Sequence, residues 1–141
     1  MINQQQLALL QQGIMEKWNT WRQAHPDLSL NLDEADLSGF HLGGFNLSHA
    51  HLHAANLSGA DLNNADLSHA ILSGANLERA NLAGADLRNA DFSDANLSKT
   101  FLRGANLREA TITPDQLKQA RPRRILSVLP VVTWVTGGTI G

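Results

Sequence analysis

The sequence contains no cysteine and no tyrosine, and its aromatic residues are limited to three Trp and four Phe. Without cysteine the chain has no disulfide, no thiolate metal site and no cysteine nucleophile, and the redox compartment is not indicated. The first residues lack the basic and long apolar segments of a secretory signal peptide, which favours a cytoplasmic location. The net charge of −2 is too small to indicate a nucleic-acid partner by itself.

A large apolar residue recurs at every fifth position from 32 to 112, and fifteen of these seventeen residues are Leu. Alanine stands two residues before thirteen of them, and Asn or Asp lies between the two in twelve units. The series consists of Leu32, Leu37, Leu42, Leu47, Leu52, Leu57, Leu62, Leu67, Leu72, Leu77, Leu82, Leu87, Phe92, Leu97, Leu102, Leu107 and Ile112. The residues from Leu37 to Leu107 in this series are the predicted structural core.

A period of five fits neither a continuous helix nor a continuous strand. A helix would spread the leucines around its axis, and a strand would alternate them between its two faces. A short extended piece followed by a turn satisfies the pattern. Ala and Leu then point inward together, Asn or Asp points outward, and the Ser and Gly residues that follow supply the turn.

The unit A-(D/N)-L-x-x resembles the motif of the pentapeptide-repeat family, and the resemblance covers residues 30–112. It implies an all-β solenoid, a right-handed quadrilateral β-helix of about four coils in which position n stacks on n+20. The motif is specific for the fold and says little about function, because function resides in sites carried by a fold.

The N-terminal segment, residues 1–29, is expected to cap the first coil. Apolar residues spaced three and four apart predict one helix over about residues 3–24. Phe40 and Phe45 replace the usual alanine in the first coil, where a wider interior would meet this helix. The alternative is a helix that binds a partner. The predicted cap residues are Leu7, Leu10, Ile14, Trp18 and Trp21.

The C-terminal segment, residues 113–141, begins with a capping box. Thr113 and Gln116 flank Pro114, which predicts a short helix to about Ala120 that seals the other end. Basic residues then precede seventeen uncharged residues, 125–141. Pro130 and three glycines weaken a bilayer span, so a β-branched segment that packs back on the domain or pairs in a dimer is favoured. The alternative is a membrane attachment through residues 121–141, because basic residues beside an apolar run are typical of juxtamembrane segments.

The outward histidines are the only candidates for metal binding. His49 and His69 fall in one column of the implied stack, one coil apart, a separation at which two imidazoles can share a transition metal. No cysteine or third ligand stands beside them, so surface histidines without a metal are the favoured interpretation. The same register predicts short charged columns of Arg88 with Arg108 and of Asp66 with Asp86.

Catalysis is not expected. The sequence has no Gly-rich phosphate loop and no supported Ser/His/Asp arrangement, and an interior filled by Leu and Ala leaves no concave pocket. Outward carboxylates on a convex surface lack the burial that tunes a catalytic pKa. We therefore expect no catalytic residue and no cofactor.

Three functions remain open at this point. The first is a cytoplasmic interaction or scaffold module that presents flat faces to an unknown protein partner, and the resemblance also allows a homodimer through one end. The second is a membrane-associated scaffold attached through residues 121–141. The third is suggested by family members that mimic DNA and bind gyrase, but the acidic excess is modest and opposite charges are interspersed. Direct nucleic-acid binding is not expected.

Overall fold

The repeated units pair with one another twenty residues apart. In the computed structural model, which describes residues 3–121, parallel bridges join residue n to residue n+20, from Asn31 with His51 to Phe101 with Arg121. Each bridge is an isolated residue pair, so no longer β-strand occurs within residues 3–121. Since four bridges fall in each twenty residues, every coil has four sides.

The sides are numbered here by the residues that form the bridges. Side 1 contains Asn31, His51, Ile71, Asp91 and Thr111, and side 2 contains Asp36, Asn56, Asn76 and Asn96. Side 3 contains His41, Asp61, Asn81, Phe101 and Arg121, and side 4 contains Asn46, Asp66, Asp86 and Asn106. Coils one to four are residues 31–50, 51–70, 71–90 and 91–110.

Each unit turns its corner in the same way. The amide of Ala55 donates to the carbonyl of Leu52 at 3.1 Å, closing a tight turn. Ala54, just before it, has φ of 55°, and the equivalent Gly59 has φ of 65°. This left-handed conformation costs residues with a Cβ about 1–2 kcal/mol each, yet ten residues other than glycine adopt it. Bonds between coils offset that cost: the amide of Leu57, for example, donates to the carbonyl of Asn76 at 2.7 Å.

The interior is one column of apolar side chains. Leu42, Leu62 and Leu82, which lie in successive coils, have no exposed surface. The alanines that stand two residues before these leucines are also buried. The methyl groups of Ala60 and Ala80 fill the space beside the leucines. A small residue beside a large one allows four inward chains to meet without overfilling the coil.

The N-terminal segment contains two helices, so the prediction of one helix over about residues 3–24 is wrong. Helix α1 spans Gln4–Gln11 and helix α2 spans Met15–Ala24. Gly13 separates them with φ of 65°, and its amide donates to the carbonyl of Leu10 at 3.0 Å. Glycine is costly inside a helix and favourable just past its end, so the chain turns here.

The break removes Ile14 from the predicted cap. Ile14 becomes the residue that precedes helix α2 and is 51% exposed, so its assignment to the capping stripe is corrected. Leu10 and Trp18 are buried, whereas Leu7 and Trp21 are partly buried against the core.

Helix α2 supplies side chains to the first coil on side 4. The indole of Trp18 is fully buried, stacks on Phe45 with centroids 6.2 Å apart, and donates to the carbonyl of Asn46 at 2.8 Å. Asn19 accepts from the amide of Asn46 at 2.8 Å, and Arg22 donates to the carbonyl of Ser48 at 3.0 Å. These groups form the hydrogen bonds that a preceding coil would have formed.

Helix α3, Pro114–Gln119, takes the place of side 2 in a fifth coil. Thr113 and Gln116 form the capping box, with the side chain of Thr113 accepting from the Gln116 amide at 3.1 Å. The buried amide group of Gln116 donates to the carbonyls of Phe92 and Ala95 at 2.6 and 3.1 Å. The chain then returns to side 3, where Arg121 pairs with Phe101.

Residues 122–141 lie outside the residues that the structure describes. The proposed membrane attachment through residues 121–141, and the alternative packing of residues 125–141, lie outside the described residues apart from Arg121. Within residues 3–121, no helix has both the length and the apolar character needed to cross a bilayer.

Candidate interaction surface

The outward Asn and Asp side chains are largely used by the fold itself. The side chain of Asn56 accepts from the amide of Ser58 at 3.0 Å, and Asp66 accepts from both the amide and the hydroxyl of Ser68 at 3.0 and 2.6 Å. The same bond to the residue two positions later recurs along the stack. Each one fixes the start of a turn, as Asx turns do. These residues therefore contribute more to the backbone than to a binding surface.

Two carboxylates show the electrostatic effect of these local bonds. Hydrogen bonds from Ser38 lower the pKa of Asp36. The Arg88 guanidinium donates to both oxygens of Asp86 at 2.8 and 2.6 Å, which lowers the pKa of Asp86 and raises the pKa of Arg88. Because the folded carboxylate pKa values are depressed, the stability they contribute is present above the ordinary range and is lost as the pH falls through them.

Five units of residues 31–112 have a residue other than Asn or Asp at the bridging position. Among them, Ile71 is 36% exposed and Phe101 is 45% exposed. Large apolar side chains at these outward positions have no role in the turn. Sequence reasoning did not single them out, although the interruption of the Asn/Asp series was a visible signal. The five residues are His41, His51, Ile71, Phe101 and Thr111.

The structure brings the two candidate metal ligands together as a stacked pair. The rings of His49 and His69 lie with centroids 4.7 Å apart and planes within 3° of parallel. The ring nitrogens coordinate in the plane of the ring, so two stacked imidazoles direct their lone pairs side by side and do not converge on one ion. Among residues 3–121, no cluster of three His, Asp or Glu residues suits a metal.

Formal charge is sorted along the coil axis. Residues 31–70, the first two coils, contain five acidic residues and no Lys or Arg, and they also carry five of the six histidines. All five basic residues of the repeats lie in coils three and four. Because successive coils are successive stretches of twenty residues, this separation along the sequence gives the stack an acidic end and a mixed end.

Side 3 has a shallow concave surface, which we call the Phe101 trough. It is lined by Asn81, Ala83, Phe101, Arg103 and Arg121 and has a volume of about 560 Å³. The expectation that a filled interior leaves no concave pocket is therefore wrong for the outer surface. The trough exists because side chains of very different size stand in adjacent coils.

A comparison with protein families identifies the repeat. The family described as Pentapeptide repeats matches residues 31–68 and 70–109, in eight copies, which is more than half of the chain. The chain belongs to the pentapeptide-repeat family. Members of this family are generally structural or interaction modules and not enzymes.

Solved pentapeptide-repeat structures are similar to the chain, with TM-scores below 0.5. HetL from Nostoc sp. PCC 7120, a protein involved in heterocyst differentiation regulation, is 33% identical over 62% of this chain and 45% of its own, with a TM-score of 0.46. The chain thus spans less than half of HetL. The protein alr5209 from the same organism is 34% identical over 76% of this chain and 82% of its own, with a TM-score of 0.38.

A third similar structure comes from a plant. A pentapeptide-repeat protein of the Arabidopsis thaliana thylakoid lumen is 28% identical over 79% of this chain and 78% of its own, with a TM-score of 0.43. No curated protein matches the sequence. The family of the chain therefore rests on the match of its repeats.

Proposed function

We propose that this pentapeptide-repeat protein is a non-catalytic interaction or scaffold module whose sides bind a protein partner in the cytoplasm. The observation that carries the proposal is the exposure of Ile71 and Phe101 at outward positions that Asn or Asp fills in most other units. Aromatic residues are enriched at protein–protein interfaces, where they supply apolar contact area. The family, whose members are generally not enzymes, supports the same conclusion.

In this proposal the β-helix winds to the right, as the family implies, and the helices at its two ends act as caps. A stack of repeats is stable only when its terminal coils are protected. The contacts of Trp18 with the first coil and of Gln116 with the fourth coil support this role. Capped ends leave the four sides as the surfaces available to a partner.

The experiment is partner capture with variants that restore the repeat. Wild type and four single variants, one for each side, carry an N-terminal tag, and bound proteins are identified from separated soluble and membrane fractions. Each variant introduces the residue that is common at that position of the five-residue unit, so we expect the fold to be retained. The variants are Ile71→Asn on side 1, Glu78→Ser on side 2, Phe101→Asn on side 3 and Arg108→Ser on side 4.

A soluble partner that one variant releases and the other three retain supports the interaction module. The same captured proteins with all four variants would contradict it. Recovery mainly from membranes, lost when residues 121–141 are deleted, would instead support the membrane-associated scaffold.

The DNA-mimic alternative receives less support from the charges. Arg88, Lys99 and Arg108 interrupt the negative surface in coils three and four, whereas a mimic of DNA needs continuous negative charge. Inhibition of gyrase supercoiling below micromolar protein concentration would restore this alternative.

A further inference from the structure

We propose that the Phe101 trough binds an acidic segment of a protein partner that presents a large apolar or aromatic side chain. This inference rests on the proposed function and adds the place of contact and the chemistry of the partner. The trough volume of about 560 Å³ is enough for a bulky side chain with its neighbouring backbone, and falls within the range of roughly 300–1,000 Å³ typical of ligand sites.

The shape of the trough follows from one column on side 3. Asn63, Ala83 and Arg103 occupy the same unit position in successive coils, which lie about 4.8 Å apart. The methyl group of Ala83 leaves a depression between two longer side chains. Phe101 forms one wall of this depression, and Arg121 stands beyond it in the last described turn of the chain.

Hydrogen bonds fix the backbone of Phe101 before any partner binds. The amide of Phe101 donates to the carbonyl of Ala80 at 2.9 Å, and the carbonyl of Phe101 accepts from Leu82 at 2.7 Å. Beneath it, the buried hydroxyl of Thr100 donates to the carbonyl of Leu77 at 2.7 Å. These bonds fix the backbone from which the exposed Phe101 side chain projects, so the backbone does not have to be ordered when a partner binds.

Positive charge surrounds this wall. Lys99 lies two residues before Phe101, Arg103 lies two residues after it, and Arg121 is its bridge partner in the next coil. None of these three cations takes part in the ion pairs found among residues 3–121. The bridge fixes the backbone of Arg121, whose amide donates to Thr100 at 2.6 Å. An apolar patch flanked by unpaired cations is complementary to an apolar side chain flanked by carboxylates.

The surrounding charges favour a short acidic protein segment over a nucleic acid. Duplex DNA carries one negative charge for about every 1.7 Å of its axis and needs an extended basic path. On side 3 the basic surface ends within two coils, because Asn81 is followed toward the N-terminal end by Asp61, and residues 31–70 contain no Lys or Arg. A segment of a few residues fits the trough without meeting these acids.

The test combines peptide selection with matched variants. Full-length protein is used to select from a random heptapeptide library, and the most enriched peptide is synthesised with a fluorescent label for anisotropy titration. Phe101→Asn and Arg103→Ser remove the wall and one cation. Glu78→Ser and Arg108→Ser are the controls: they replace outward charged side chains at the unit position of Arg103 on sides 2 and 4. Circular dichroism melting checks that all four variants fold.

We expect the enriched peptides to contain acidic residues next to Trp, Phe or Leu. Phe101→Asn and Arg103→Ser should each weaken binding about tenfold, as loss of a central contact does, with the controls within about twofold of wild type. Raising the salt concentration should also weaken binding, since the cations are exposed.

Enriched peptides without acidic residues, failure of any peptide to be enriched, or equal losses in the controls would overturn the docking site. A twelve-nucleotide single-stranded DNA that binds more tightly than the peptide through Phe101 and Arg103 would overturn it in favour of a nucleic acid. Peptide binding that is weakened only by substitutions on another side would contradict this site and leave the proposed interaction module intact. The module itself fails if no side variant releases a captured partner.

Discussion

Single residues in this protein acquire their roles from their place in the five-residue unit. Asn56 accepts a hydrogen bond from the amide two residues later, and Leu57 is buried beside it. Two residues further on, Gly59 adopts a left-handed conformation that closes the corner. Phe101 occupies the same unit position as Asn56, yet it forms a wall of the trough instead of accepting a turn hydrogen bond. The residue at the outward position therefore decides whether the unit forms the local turn hydrogen bond.

The corner position offers a stability test at residue level. Ala54 is exposed and has φ of 55°, so Ala54→Gly should relieve steric strain and raise the free energy of unfolding by about 1 kcal/mol. The matched control is Gly59→Ala, with φ of 65° and open space around the added methyl group, which should lower it by about the same amount. Denaturant unfolding measures both. A destabilised Ala54→Gly variant would show that the methyl group of Ala54 contributes more than its conformation costs.

Helices α2 and α3 form hydrogen bonds with the first and the fourth coil, respectively. Helix α2 bonds to the backbone edge of the first coil through Trp18, Asn19 and Arg22, and helix α3 bonds to the fourth coil through Gln116. Burial lowers the pKa of Arg22, and the charge of Asp66 opposes that shift. Polar groups inside these helices are as important as the apolar stripe, because the edge of a coil presents carbonyl and amide groups that must be bonded.

The C-terminal helix provides the corresponding test. Gln116→Ala should lower the free energy of unfolding by about 1–3 kcal/mol, because the buried carbonyls of Phe92 and Ala95 lose a donor. Gln119→Ala changes an exposed glutamine of the same helix and should have little effect. Thermal unfolding of the two variants distinguishes the contributions. Equal melting temperatures would mean that the side chain of Gln116 does not protect the fourth coil.

The whole molecule is an array in which each coil contacts its two neighbours. Such an array transmits stability along its axis, so a defect in an inner coil interrupts the stack. Its net charge changes along the axis, because all five Lys and Arg residues of the four coils lie in coils three and four, whereas the ten acidic residues are divided equally between the two halves.

An inner substitution tests this organisation. Leu62 in coil two has no exposed surface, and Leu62→Asp buries an unpaired carboxylate there. We expect loss of cooperative thermal unfolding, measured by circular dichroism. Asn64→Asp adds the same charge at an exposed position two residues away and should retain a single transition. If Leu62→Asp melts like wild type, the side chain at position 62 does not point into the coil.

The sequence by itself determined the five-residue repeat and the capping box of Thr113 with Gln116, because each depends on residue spacing within a few units. The twenty-residue register was implied by the resemblance to the pentapeptide-repeat family, and the bridges of the structure agree with it. It did not determine the end of helix α1 at Gly13, where the apolar spacing continued through a residue that favours a turn. Only the tertiary structure decided that Phe101, Arg103 and Arg121 line one trough. The approach of Arg121 to Phe101 depends on helix α3 returning the chain to side 3, a path that no local pattern encodes.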